Sequence, residues 1–163
     1  MKRNNSIQDN NMYFEYIITK NCINGSFSIM NDKSLLYSTK GGDFSILLNG
    51  DWRFELNIDS HTGKCINFQG LLLGSIVNAN LNIPQRNKGC LFFRKNEELL
   101  SGTGCHYLMM DENVYYDSIK KVLCIGNPFS NGVAIEFAEK IIAIICNGCL
   151  TAIYLDLKDA YME

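Results

Sequence analysis

Between Trp52 and Asp59 the chain alternates without a break, with Trp52, Phe54, Leu56 and Ile58 apolar and Arg53, Glu55, Asn57 and Asp59 polar. A period of two places the apolar set on one face of a strand and the polar set on the other, as in a sheet packed on one side. Phe44–Leu48 precedes this run, and Asn49-Gly50 stands between them. Asn-Gly accepts the positive φ angles of a type I′ turn, so a two-residue hairpin is predicted into a strand over 51–59. Ser60-His61-Thr62-Gly63 then leads into an apolar run over 64–68, with Gly63 suited to the left-handed position of a longer, bulged loop. The prediction is a three-stranded meander across 43–68.

Two more Asn-Gly pairs suggest the same device. Asn24-Gly25 would join a strand over 14–22 to one over 26–30, and Asn147-Gly148 would join 140–146 to 149–157. The last hairpin is apolar on both faces, which is typical of strands at the centre of a covered sheet. Pairing across its turn is expected to set Ile142 and Ile144 beside Ile153 and Thr151. Ile141, Ala143, Leu150, Ala152 and Tyr154 would share the opposite face. A helix over 134–146 competes, since Ala134, Phe137, Ala138, Ile141, Ile142 and Ile145 also recur at helical spacing opposite Glu136, Glu139 and Lys140. The density of β-branched isoleucine favours strand.

Further short strands are predicted at 70–77, 89–93, 106–110, 114–116 and 121–125, with single helical turns at 96–100 and 117–121. Pro84 and Pro128 mark loops. The fold class is mainly β, with a β-rich α+β arrangement as its variant. An antiparallel meander and hairpins would form a sandwich or one strongly curved sheet, with little helix. Residues 1–12, polar and rich in asparagine, read as a disordered tail before a single domain over 13–163.

Composition narrows the function classes. The chain has 163 residues, 47% of them hydrophobic and 20% charged, enough to bury a core. A formal net charge of −2 and scattered Lys and Arg argue against nucleic acid as the main partner, because phosphate contacts need clustered cations. No signal-peptide run follows Lys2 and Arg3, and no stretch reaches membrane-span length, so a cytoplasmic protein with no membrane partner is expected. Seven cysteines is an odd number, and most lie in apolar runs, where a free thiol behaves as a small hydrophobe. The expectation is reduced thiols in a cytosolic core.

Each candidate for chemistry has a plainer reading beside it. Cys146-Asn147-Gly148-Cys149 is a C-x-x-C, but a hairpin would set the two thiols opposite each other with no helix N-terminus to activate either. His61, Cys65, Cys90, Cys105 and His106 could supply zinc ligands, but they lack tight paired spacing. Cys105 and His106 are also the nearest thiol–base pair, yet neighbours on an extended chain diverge. A metal- or ligand-binding domain, or a hydrolase using His61, Cys65, Cys105 or His106, is the alternative to a non-catalytic protein. Gly102-Thr103-Gly104 has neither the Lys-Ser/Thr nor the following helix of a phosphate loop and reads as a turn. No cofactor is expected.

The segment 107–117 stands out as a surface candidate. It combines Tyr107, Tyr115 and Tyr116 with Met109 and Met110, and with Asp111, Glu112 and Asp117. Tyrosine is favoured at interfaces, and carboxylates steer a basic partner. Tyr107, Asp111, Glu112, Tyr115, Tyr116 and Asp117 are therefore the candidate partner-binding residues, against the alternative of two edge strands with their inner faces in the core.

Trp52-Arg53-Phe54-Glu55-Leu56 with Asp59-Ser60-His61-Thr62-Gly63 resembles segments of small bacterial immunity proteins from contact-dependent growth inhibition and polymorphic toxin systems. Leu81-Asn82-Ile83-Pro84 before Gly89-Cys90-Leu91-Phe92-Phe93, and Leu150-Thr151-Ala152-Ile153-Tyr154-Leu155, add to the pattern, which covers most of the chain. The resemblance implies a cytosolic protein that binds a cognate toxin, commonly a nuclease, and occludes it. It implies no catalytic residue and carries over no contact residue. High asparagine with two prolines points to an AT-rich bacterial genome. A monomer or a homodimer is expected, since few features protect the sheet edges.

Overall fold

The computed structural model describes residues 11–49 and 53–163, and its regular structure is all strand. In chain order these are β1 (Met12–Ile18), β2 (Phe27–Ile29), β3 (Ser34–Tyr37), β4 (Phe44–Leu48) and β5 (Phe54–Ile58). Then come β6 (Cys65–Leu71), β7 (Val77–Asn78), β8 (Asn87–Lys95), β9 (Thr103–Tyr107) and β10 (Val114–Asp117). The last five are β11 (Val122–Gly126), β12 (Val133–Ala138), β13 (Ile141–Cys146), β14 (Cys149–Asp156) and β15 (Tyr161–Met162). The helical turns predicted at 96–100 and 117–121 do not form. The first is bend and loop, and the second is the tight turn between β10 and β11, with Lys121 at φ 55°.

Two sheets make a sandwich. One has eight strands in the order β1-β8-β12-β13-β14-β11-β10-β7, and the other has seven in the order β15-β2-β3-β6-β5-β4-β9. Both are mixed rather than antiparallel throughout: β7–β10, β8–β12, β2–β15 and β4–β9 pair in parallel. The main core lies between the sheets. Phe44, Ile46, Leu56, Ile58 and Phe68 enter from one side, and Ile125, Ile135, Phe137, Ile141 and Ile153 from the other.

The meander over 43–68 is present as β4-β5-β6, and Gly63 sits at φ 77° in the loop after β5. The first turn differs from the expectation. Leu47 pairs with Glu55, so the connection from β4 to β5 is longer than two residues. Gly50, Asp51 and Trp52 of that predicted turn and strand lie outside the described residues. Asn24-Gly25 makes no hairpin: β1 pairs with β8, and β2 pairs with β3 in the other sheet. The chain uses 19–26 to change sheets, and Ile23 bridges to Ala138 on the way. Of the predicted tail, residues 1–10 lie outside the described set, and Met12 already opens β1.

The segment 134–146 is strand, divided in two by a tight turn with Lys140 at φ 72°. The terminal hairpin occupies the middle of the eight-stranded sheet, and Asn147 and Gly148 adopt φ 50° and 77°, as an Asn-Gly turn requires. A bulge between Ile144 and Ile145 moves its register by one residue, so that Ile142 faces Tyr154 and Ile144 faces Ala152. One residue of slip exchanges faces. Ile153 therefore joins Ile141, Ala143 and Leu150 in the main core, while Ala152 and Tyr154 join Ile142 and Ile144 on the outside.

That outer face carries a second, smaller core, made of Val122, Cys124, Ala134, Ile142, Ile144, Ala152 and Tyr154. A strap over 79–86, between β7 and β8, covers it by inserting Leu81, with Ala79 and Ile83 beside it. At one end the Asp117 carboxylate accepts Leu81 N at 3.0 Å, and Lys120 Nζ donates to Asn80 Oδ1, Leu81 O and Asn82 Oδ1, each at 2.8 Å. At the other end Arg86 Nε meets the buried Glu136 carboxylate at 2.5 Å. Both faces of the central hairpin are thus dry.

Candidate functional site

The predicted partner-binding segment does not form one surface. Tyr107 ends β9 with no exposed surface, its ring edge-on to Phe14 at 5.2 Å and its hydroxyl accepting Leu150 N at 2.9 Å. Asp117 is buried too. Besides Leu81 N, its carboxylate accepts Ile119 N at 3.0 Å and Lys120 N at 2.9 Å, and these amides hold its pKa below the ordinary carboxylate value, the Lys120 N–H first. It closes the β10–β11 turn and anchors the strap. Tyr115 and Tyr116 are neighbours on a strand and diverge, Tyr115 toward the outer core and Tyr116 toward the main core. Tyr107 and Asp117 are therefore structural, and the two remaining tyrosines serve different faces.

What survives is the loop before β10. Asp111 Oδ1 accepts Asn113 N at 2.8 Å, and Asp111 Oδ2 accepts the Tyr115 hydroxyl at 2.9 Å. The carboxylate raises the Tyr115 pKa from its ordinary value by holding its proton. This Asx-type arrangement fixes the loop, leaves Glu112 exposed, and thrusts out Met110 with 87% of its surface free. A second loop, between β11 and β12, starts beside it: Gly126 N at the end of β11 donates to Asn113 O, and Asn127 shares a shallow depression with Met110, Asp111, Glu112 and Asn113. That loop is tied by the Tyr154 hydroxyl donating to Pro128 O at 2.8 Å and by Asn127 Oδ1 accepting Phe129 N at 2.9 Å. It presents Phe129 with 86% of its surface free.

Two braced loops thus display a large apolar side chain each, Met110 beside Asp111 and Glu112 on the first and Phe129 on the second. Free apolar anchors rimmed by charge are the composition of a recognition surface. Met110 lay within the segment the sequence singled out. Phe129 did not, although Asn127-Pro128-Phe129-Ser130-Asn131-Gly132 places it among turn formers, where no strand face can hide it. A second exposed apolar stretch runs along β1 with Tyr13, Tyr16, Ile17 and Ile18, but its one carboxylate, Glu15, is paired with Arg94 at 3.1 Å.

The residues of the alternative reading are dispersed by burial and by face. His61 is exposed in the β5–β6 turn, while Cys65, four residues on, is fully buried and desolvation pushes its thiol pKa well up. Cys105 packs against the main core, and burial raises its pKa, whereas His106 points to the opposite, exposed face of β9. A nucleophilic thiol needs the reverse shift. Among the described residues no three His, Cys, Asp or Glu side chains converge in a way that could hold a metal ion. Cys146 and Cys149 are directly paired across their turn, and none of the seven cysteines is joined in a disulfide. Gly102 forms a turn at φ 79°, but Gly104 belongs to β9, where an added Cβ would stand 2.4 Å from Ser45 O.

Among the described residues no helix is long and apolar enough to cross a membrane. Compared with protein-family models, with curated proteins and with solved structures, the chain matches none of them.

Proposed function

We propose that this protein is a non-catalytic binding protein of the cytoplasm that neutralises a basic protein toxin by occluding it, in the manner of the bacterial immunity proteins it resembles. The observation that carries the reading is the pair of braced loops, one exposing Met110 beside Asp111 and Glu112 and the other exposing Phe129 two residues past Asn127, which shares the first loop's depression. Apolar anchors of this size supply most of the affinity of a compact interface, and rim carboxylates raise the association rate with a cationic partner. Hydrogen bonds already order both loops, so little conformational entropy is lost on binding. No cofactor enters this function.

The test begins with the tagged full-length chain in the native bacterium, from which one stoichiometric basic protein is expected. With that partner in hand, Phe129→Ala and Met110→Ala should each weaken binding at least tenfold, mainly through faster dissociation. Glu112→Lys should slow association at low salt and have little effect at high salt. Asp117 is unsuitable for such a test, because its carboxylate holds the strap. If no basic partner is recovered, the occlusion reading fails. If one is recovered and binds all three variants like the parent, these loops are not the binding face.

A further inference from the structure

At the flank where the chain passes repeatedly from one sheet to the other, the interior is not filled. Ile29 of β2 and Met162 of β15 come from the seven-stranded sheet, and Tyr116 of β10 and Leu123 of β11 from the eight-stranded one. Leu72 and Ile76, between β6 and β7, and Leu157, after β14, complete the apolar wall of a pocket of about 240 Å³. Leu123 and Leu157 are almost fully buried members of the main core and form the floor, while Met162 and Lys33 are exposed and form the rim. Lys33 is the one charged residue of the lining, and the Tyr116 phenol its one other polar side chain. Among the described residues the Lys33 ammonium has no ion-pair partner, and Glu163, which follows Met162, is bonded to Asn31 N at 2.9 Å.

An apolar cavity with two polar groups at its edge suits water poorly, since an ordered water needs two to four partners. The space equals roughly eight waters at about 30 Å³ each, which is the bulk of a short hydrocarbon chain or a single ring. We infer that this pocket binds a small apolar monocarboxylate, its hydrocarbon part lying on Leu123 and Leu157 between the sheets and its carboxylate on Lys33. The charge at the rim selects an anion over an alcohol or amine, and the lining offers no second cation for a dianion. This site shares β10 and β11 with the Met110 and Phe129 loops, through Tyr116 and Leu123, but none of its lining residues belongs to those loops, and it does not depend on their function.

The experiment is an amide NMR titration of the full-length protein with sodium hexanoate, sodium octanoate, 1-octanol and octylammonium chloride. Saturable shifts are expected at Ile29, Lys33, Leu72, Ile76 and Tyr116. Octanoate should bind roughly ten- to fifteenfold more tightly than hexanoate, from two further buried methylenes. Lys33→Glu, in an exposed turn, should weaken octanoate at least tenfold and reverse the preference between octanoate and octylammonium. Ile76→Trp, which fills the pocket from a half-buried loop position, should abolish binding of both while the far-UV spectrum stays unchanged. Shifts that do not saturate or that centre elsewhere would overturn the assignment. So would octanoate binding that is indifferent to Lys33→Glu.

Discussion

Replacing Tyr107 with phenylalanine removes one oxygen and keeps the ring, so it isolates what the hydroxyl does. The bulge between Ile144 and Ile145 disturbs the β13–β14 ladder next to Leu150, and the Leu150 N–H is bonded at 2.9 Å to the Tyr107 hydroxyl. Both residues are buried, so in Tyr107→Phe no water reaches the freed donor. A buried N–H left without its acceptor costs about 1–3 kcal/mol, whereas loss of an exposed hydrogen bond costs much less. With a urea m-value of about 2 kcal/mol/M, the unfolding midpoint should fall by roughly 0.5–1.5 M at unchanged m. The Leu150 amide should also exchange faster than its neighbours in native-state hydrogen exchange. Partner binding should be unaffected under conditions where the variant is folded. A loss below about 0.5 kcal/mol would refute the reasoning, because it would mean that the bulge satisfies Leu150 by another route.

Two other predictions test the periphery. Leu81→Ala should cost about 2–4 kcal/mol in urea unfolding, since Leu81 is 2% exposed and plugs the outer core. A neutral result would mean that the strap does not exclude water from Ile142 and Tyr154. Asp43 accepts the hydroxyl and the N–H of Ser60, at 2.6 and 2.7 Å, and these bonds, with a further one from the Ser101 side chain, lower its pKa to about 2. A carboxylate depressed on folding stabilises the native state above its unfolded pKa, about 3.9, and that contribution is lost as pH falls toward 2. Asp43→Asn should therefore flatten the acid limb of the stability profile between about pH 4 and 2. An unchanged limb would assign acid unfolding to other carboxylates.

Much of the architecture could be read from period two and turn chemistry. The all-apolar hairpin over 141–156 did prove central, because strands with no polar face have nowhere else to go. Asn147-Gly148 and Gly63 did supply left-handed turns. Asn24-Gly25 did not, and its failure has a physical cause. A turn motif reports local backbone preference, whereas whether β1 meets β2 is settled by β8, a strand whose paired residues lie 71 to 83 positions further on and which offers β1 a seven-pair ladder. The bulge in the last hairpin is likewise invisible in the sequence. Alternation assigns faces only while the count of residues on both strands stays equal, and one extra residue carried Ile153 into the main core and Ala152 and Tyr154 out of it.

The site divides along the same line. That Tyr115 and Tyr116 cannot anchor one partner together follows from alternation alone, since adjacent strand residues face opposite ways. That Tyr107 and Asp117 are interior does not, because tyrosine and aspartate are buried only when a particular partner waits for them, and Leu150 N and Leu81 N lie 43 and 36 residues away. Met110 and Phe129 show the converse. Each sits in a connection where no strand face exists to receive it, and each connection is fixed by its own Asx turn and by a tyrosine hydroxyl, Tyr115 on one and Tyr154 on the other. Burying these two side chains inward would break those bonds for no new contact. Their exposure is therefore built into the loops, and a partner that covers them gains apolar burial without first having to reorganise the surface.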